Sequence, residues 1–148
     1  MKVVIQKSGP ANVVIEKTTK REIREGLVIL LGITDGDTEK DIDYLVEKIS
    51  NLRLFADEDN HFNKSILETS KEVLLISQFT LYASCKKGRR PDFAAAAKGE
   101  VAKPLYEKFV EKLRAKELKV ETGEFAAMME VNISNQGPIT IIIDTKDV

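Results

Sequence analysis

The sequence predicts an α+β fold: an antiparallel or mixed β-sheet with two main helices, in a single domain covering residues 1–148. Three observations predict it. Short apolar segments rich in Val and Ile recur along the chain in mostly hairpin-like order. Only two segments repeat their apolar residues at helical spacing. Two helices are too few for an alternating, doubly wound architecture. No repeat, linker or low-complexity tract divides the chain, and 148 residues can bury roughly two-thirds of the unfolded surface.

Each element has its own signal. Residues 3–7 and 12–17 read as strands separated by a break at Ser8-Gly9-Pro10. Thr18-Thr19-Lys20 reads as a hairpin turn into a strand over 21–25. The run from Gly26 to Ile33 is apolar throughout with glycine near each end, the pattern of a strand covered on both faces. Asp35-Gly36-Asp37 then turns the chain into a helix. Thr38 is the expected N-cap, and Asp41 three residues on makes a capping-box pattern. Ile42, Leu45, Val46, Ile49 and Leu52 repeat at helical spacing, so one face packs on the sheet. A short strand begins over 52–55, and Asp57-Glu58-Asp59-Asn60 turns it. Residues 72–81 read as a further strand. The second helix opens between Glu100 and Pro104, where proline is tolerated in or near the first turn, and Leu105, Phe109, Val110 and Leu113 line its inner face. Strands over 119–121, 128–134 and 139–144 complete the chain.

Composition narrows the function. With 43% hydrophobic and 32% charged residues the chain is an ordinary globular one. No apolar run reaches the length of about 20 residues that a membrane span needs, and the first residues turn polar too soon for a signal peptide. One cysteine, Cys85, leaves no internal disulfide and fits a reducing compartment, so a cytoplasmic location is expected. A net charge of −1 argues against coating DNA or RNA along its length, yet leaves room for a local basic patch that grips one RNA end.

Reactive side chains are scarce. The single histidine, His61, would have to serve any Ser-His-Asp triad, but it lies in the polar turn Asp59-Asn60-His61-Phe62-Asn63, which reads as a solvated tip. Zinc lacks a ligand set, and no metal site is expected. Asp57-x-Asp59-x-His61 with Glu68 at the twelfth position imitates a calcium loop, but Phe62 occupies the sixth position, where the turn requires glycine. Cys85 beside Lys86 and Lys87 has the charges that depress a thiol pKa but no evident base, and an inert thiol is the stronger reading.

Two segments remain. The apolar strand ends abruptly in Ser77-Gln78-Phe79-Thr80, and Lys86, Lys87, Arg89 and Arg90 follow within five positions. A basic loop beside a polar strand end can hold phosphates next to a reacting centre; a merely solvated charge run is the equal alternative. The second segment, Asn132 to Pro138, joins two strands. Taken alone it reads best as a plain hairpin turn.

Taken together, SQFTL at 77–81, GRRPDF at 88–93, GEFAAMMEV at 123–131 and NQGPIT at 135–140 resemble successive landmarks of the D-aminoacyl-tRNA deacylase family. One such string is weak; four in order at family-like spacing are specific, and the likeness extends to the opening VVIQK and to LVILLGI. Departures are mild: Asp92 stands where serine is common, Gln136 fills a variable slot, and Pro10-Ala11-Asn12-Val13 is unusual.

The resemblance implies a sheet curled toward a barrel and a homodimer with its active sites at the subunit interface. It implies hydrolysis of the ester between a D-amino acid, or glycine, and the terminal ribose of tRNA, with no cofactor. Ser77, Gln78, Phe79 and Thr80 would form the floor of the catalytic pocket, and Gly137 and Pro138 of the partner chain, joined by a cis bond, would reach into it. Lys86, Lys87, Arg89 and Arg90 would bind tRNA. Phe125 and Met128 would line the adenosine side, although core packing explains both equally well. Thr80 as a nucleophile competes with Thr80 as a positioning group, and the missing base favours positioning. Two other functions stay open: a non-catalytic module that binds the 3′ end of RNA, and a cysteine or threonine hydrolase of unrelated small esters.

Overall fold

The computed structural model describes residues 1–148, and one mixed sheet dominates it. Strand β1 (Lys2–Ile15) is its spine. Along one edge it pairs antiparallel first with β3 (Gly26–Gly32), through residues 2–8, and then with β2 (Thr19–Ile23), through residues 11–15. Along the other edge it pairs antiparallel with β8 (Met129–Asp144). Beyond β3 lie β6 (Glu72–Ser77) and β7 (Val120–Thr122), both joined in parallel. The sheet curls toward a barrel, so that the Arg21 guanidinium on β2 donates to the Thr122 carbonyl on β7 at 2.8 Å. A separate two-stranded hairpin consists of β4 (Phe55–Ala56) and β5 (Phe62–Lys64).

The curl explains why the interiors of the central strands, 27–31 and 73–76, are apolar at every position. Val73 and Leu75 of β6, with Leu27, Ile29 and Leu31 of β3, face the two helices, α1 (Glu39–Asn51) and α2 (Gly99–Ala115). The alternate residues Leu74, Ile76 and Val28 face the hollow of the curl, where they meet Ala11, Val13, Ile15 and Ile23. Alternation therefore disappears from the sequence because both faces are covered. Helix α1 starts as its sequence predicts: Asp41 accepts the Thr38 amide at 2.7 Å in a reciprocal capping box, and Ile42, Leu45, Val46 and Ile49 are buried.

Five expectations need correction. The strands expected over 3–7 and 12–17 are one strand, which ends at Ile15, and Ser8-Gly9-Pro10 is a bulge within it: two residues, Gly9 and Pro10, stand opposite Ser134 alone. The following turn comes earlier than Thr18, at Glu16 and Lys17, both with positive φ (47° and 59°). The strand expected over 72–81 stops at Ser77, and Phe79–Tyr82 form a 3-10 helix. Helix α2 starts at Gly99, which puts Pro104 in its second turn. Residues 128–134 and 139–144 are not the two arms of a hairpin either. Both belong to β8 and both pair with β1.

Candidate active site

The parallel ladder of β3 and β6 ends where Ser77 stands opposite Leu31, and the Gln78 amide makes the last rung to the Leu31 carbonyl at 2.8 Å. The chain then winds into the 3-10 helix. Gly32 permits this, since a Cβ there would meet Leu81 Cβ at 3.0 Å and the Gln78 carbonyl at 3.2 Å. Inside the turn the first amide to find an acceptor is Leu81, which donates to the Gln78 carbonyl at 3.2 Å. The Phe79 and Thr80 amides precede it and head the turn with no acceptor inside it.

These four residues border a cavity of about 640 Å³, walled also by Leu31 and Ile33 of β3 and its extension, by Ala97, Gly99 and Ala102 at the start of α2, and by 125–129 and Val131 leading into β8. The α2 wall is pinned to β3: the Ala97 amide donates to the Ile33 carbonyl at 3.0 Å, and the Thr34 hydroxyl donates to the Ala95 carbonyl. Opposite, Ala127 donates to the Glu124 carbonyl at 3.2 Å across a turn whose third residue, Ala126, has φ +63°, a conformation usually left to glycine. That turn lays the Phe125 ring against Tyr106, with centroids 5.9 Å apart. Tyr106 donates its hydroxyl to the Leu75 carbonyl at 3.0 Å, and burial pushes its pKa up, so the phenol stays neutral.

None of the sixteen residues lining the cavity has an ionisable side chain. The one polar contact between lining side chains joins the Gln78 amide to the Thr80 hydroxyl at 2.5 Å. Neither orientation of that amide could take a proton from Thr80. A second hollow of about 540 Å³ shares Phe125 but lies between α2 and β7, where Lys103, Glu107, Glu111, Arg114 and Glu124 make it a charged surface depression. The apolar cavity is the better ligand site, being a concave, mostly apolar space with a few polar groups at one end.

The structure brings several predicted residues together. Ser77, Gln78, Phe79, Thr80, Phe125 and Met128 all border the one cavity. The basic loop is tied to its rim. Ser84 and Asp92 exchange two backbone hydrogen bonds (2.7 and 2.9 Å) that close the loop, and the Phe93 ring meets Phe79 edge to face with centroids 5.1 Å apart. Lys86, Lys87, Arg89 and Arg90 are exposed and make no ion pair, whereas Lys108 and Lys112 of α2, and Lys116 just past its end, all pair with carboxylates of α1. His61 and Cys85 are exposed and border neither hollow.

Gly137 and Pro138 do not line this chain's own cavity. Their peptide bond is cis, and both residues are exposed. They sit in an excursion of β8: Asn135 pairs with Ser8 and Thr140 with Gln6, so residues 136–139 all stand opposite Lys7. Gly137 has φ +107°, and a Cβ there would lie 2.7 Å from Ile139 Cγ1 and 3.0 Å from the Ile139 nitrogen. Sequence reasoning missed most of the cavity wall, including Ile33, Ala97, Gly99, Ala102, Ala127 and Met129. Small apolar residues carry no local signal of a site, since they read equally as core.

The model of one protein family, D-Tyr-tRNA(Tyr) deacylase, matches residues 4–144. The chain is 49% identical to the D-aminoacyl-tRNA deacylase of Brevibacillus brevis, covering 98% of this chain and 100% of that one. It is 50% identical to the protein of the same name from Finegoldia magna, covering 99% of each. Among solved structures, the c-Myc DNA unwinding element binding protein superposes with a TM-score of 0.89 at 40% identity, over 98% of this chain and 99% of the other. A probable eukaryotic D-amino acid tRNA deacylase superposes with a TM-score of 0.85 over 96% and 97%; at 16% identity it speaks for the fold alone.

Proposed function

The chain belongs to the D-Tyr-tRNA(Tyr) deacylase family, and from that premise we propose how its apolar cavity hydrolyses the ester bond of D-aminoacyl-tRNA. The observation that carries the reading is the pairing of two amides that have no acceptor inside their turn with a cavity free of ionisable side chains. Hydrolysis here is the work of backbone and of substrate.

The terminal aminoacyl-adenosine enters the cavity with its ester carbonyl at the Ser77–Thr80 end. Water attacks the carbonyl carbon, and the Phe79 and Thr80 amides stabilise the oxyanion, a contribution of about 3–4 kcal/mol for a well-placed donor. The bond from carbon to the ribose oxygen then breaks, and the proton lost by water passes to that oxygen, with the neighbouring 2′-hydroxyl of the substrate as relay. Thr80 positions rather than attacks, because its partner Gln78 is no base. Phe125 and Met128 flank the adenosine, and Lys86, Lys87, Arg89 and Arg90 hold phosphates of the tRNA.

Selection of handedness comes from a second copy of the chain. Strand β8 has β1 on one edge and no strand on the other, and its long free edge fits a homodimer. Gly137 and Pro138 project from β8 but face solvent in their own chain, so a neighbouring copy's cavity is the natural place for them. Their carbonyl oxygens would fill the space an L side chain must enter, while a D side chain points away and glycine has none to clash. Specificity then rests on a built-in clash. Glycyl-tRNA is accordingly a second substrate.

Incubating the purified protein with D-aminoacyl-, glycyl- and L-aminoacyl-tRNA tests this. The expected result is rapid ester loss from the first two and none from the third. Tight binding without ester loss would leave a module for RNA 3′ ends instead.

A further inference from the structure

Hydrolysis makes no use of the exposed aromatic pair at the rim of the cavity. Phe79 and Phe93 are 56% and 38% exposed, and they meet edge to face at the base of the loop that carries four unpaired cations. Phe79 borders the cavity, whereas Phe93 lies outside it, on the side from which the loop springs. Exposed aromatic rings beside unpaired lysines and arginines are the combination that single-stranded nucleic acid requires: a flat apolar face for a base, with cations for the phosphates on either side.

Resting on the assignment of the cavity to the terminal aminoacyl-adenosine, we propose that Phe93, backed by Phe79, is a stacking platform for the base that precedes this adenosine. The basic loop holds the intervening phosphates. Charge complementarity favours a nucleic-acid strand over an apolar protein partner, since Lys86, Lys87, Arg89 and Arg90 make no ion pair in the chain. The platform registers that a base is present and not which base it is. Ala94, Ala95 and Ala96 follow Phe93, and none offers a side-chain donor or acceptor to a base edge. One oxygen of the Asp92 carboxylate accepts from the Ala94 amide at 3.0 Å, which ties that side chain back to its own loop. Stacking of this kind tolerates any sequence because every base has a flat face.

The test compares D-aminoacyl-tRNA with 3′-O-D-aminoacyl-adenosine, which lacks the preceding nucleotide. Phe93→Leu should lower kcat/KM on the tRNA about tenfold, mainly through KM, and leave the adenosine ester within about twofold of wild type. Phe93→Tyr should restore the tRNA value. Equal losses on both substrates would overturn the platform, because the ring would then merely support the cavity. An unchanged tRNA rate would overturn it too, as would a loss traced to dissociation of the oligomer. Inertness of the wild-type protein on both substrates would overturn the assignment of the cavity first, and the platform with it.

Discussion

Replacing Gly137 with alanine perturbs the proposed handedness filter at one atom. At φ +107° an L residue is strained by about 1–3 kcal/mol. The new Cβ would also lie 2.7 Å from Ile139 Cγ1 and 3.0 Å from the Ile139 nitrogen. The Ile139 side chain can rotate away, but its backbone nitrogen cannot, so residues 136–139 must shift. Because Gln136, Gly137 and Pro138 are exposed, only Ile139 touches the core, and the excursion stands opposite a single residue of β1, it can move without unfolding the sheet. A displacement near 1 Å in a positioning group costs up to about 100-fold in rate. The same displacement opens the space that excludes an L side chain. Gly137→Ala should therefore slow D-aminoacyl-tRNA hydrolysis and lower the ratio of D to L kcat/KM by at least about tenfold. Initial rates on the two diastereomers of one aminoacyl-tRNA measure the ratio, and a thermal melt near wild type establishes that the fold survives. A wild-type ratio in a folded variant would refute the reasoning.

Other outcomes follow from the same geometry. His61→Ala and Cys85→Ala should retain wild-type rates, and Thr80→Val should lose about three- to tenfold, the worth of one positioning hydrogen bond; a loss approaching 10⁶-fold in Thr80→Val would instead identify a nucleophile. Converting Lys86, Lys87, Arg89 and Arg90 to Gln should flatten the salt dependence of tRNA binding, by about 0.7 in the log–log slope for each phosphate no longer neutralised, and an unchanged slope would remove the loop from the interface. The Lys119 ammonium, with the Arg24 amide adding to it and burial opposing it, holds the Glu72 carboxyl below its ordinary value of 4.5. The stability this supplies is present above about pH 4.5 and lost as pH falls through the folded value, so Glu72→Gln should lower the melting temperature at pH 7 and weaken its fall on acidification below pH 4.5. Parallel acid profiles for variant and wild type would contradict that.

What the sequence made legible was the part decided locally. Helix α1 announces itself by Thr38, Asp41 and the spacing of Ile42, Leu45, Val46 and Ile49, and each of these does what its position predicts. The apolar run of β3 likewise announces a strand covered on both faces, and that of β6 announces a strand. Non-local decisions were invisible. Gly9-Pro10 looks like a break, but β8 runs past it and turns it into a bulge. Glu16 and Lys17 take positive φ where hairpin statistics expect Asn and Gly, so nothing in their identity marks the turn. Phe79-Thr80-Leu81-Tyr82 is a good strand sequence by propensity. It becomes a 3-10 helix because β6 runs out of partner at Leu31 and Gly32 leaves room for the turn. The site shows the same division. Its polar end could be picked out as a cluster, whereas its apolar wall is assembled from β3, α2 and β8 and has no contiguous signature.

Mixing two defective chains tests most directly whether one copy's main chain screens the substrate bound by another. Ala97→Phe would fill the cavity but leave the β8 excursion intact, and Gly137→Val would do the reverse. Each variant alone should be nearly inactive on D-aminoacyl-tRNA, Ala97→Phe because its own cavity is filled and Gly137→Val because the displaced excursion obstructs the cavity it enters. After random reassociation, half the dimers are mixed and each has one sound site, which predicts recovery of about a quarter of wild-type activity. A mixture no more active than its two components would place cavity and excursion in the same chain, or divorce them altogether, and would contradict the account.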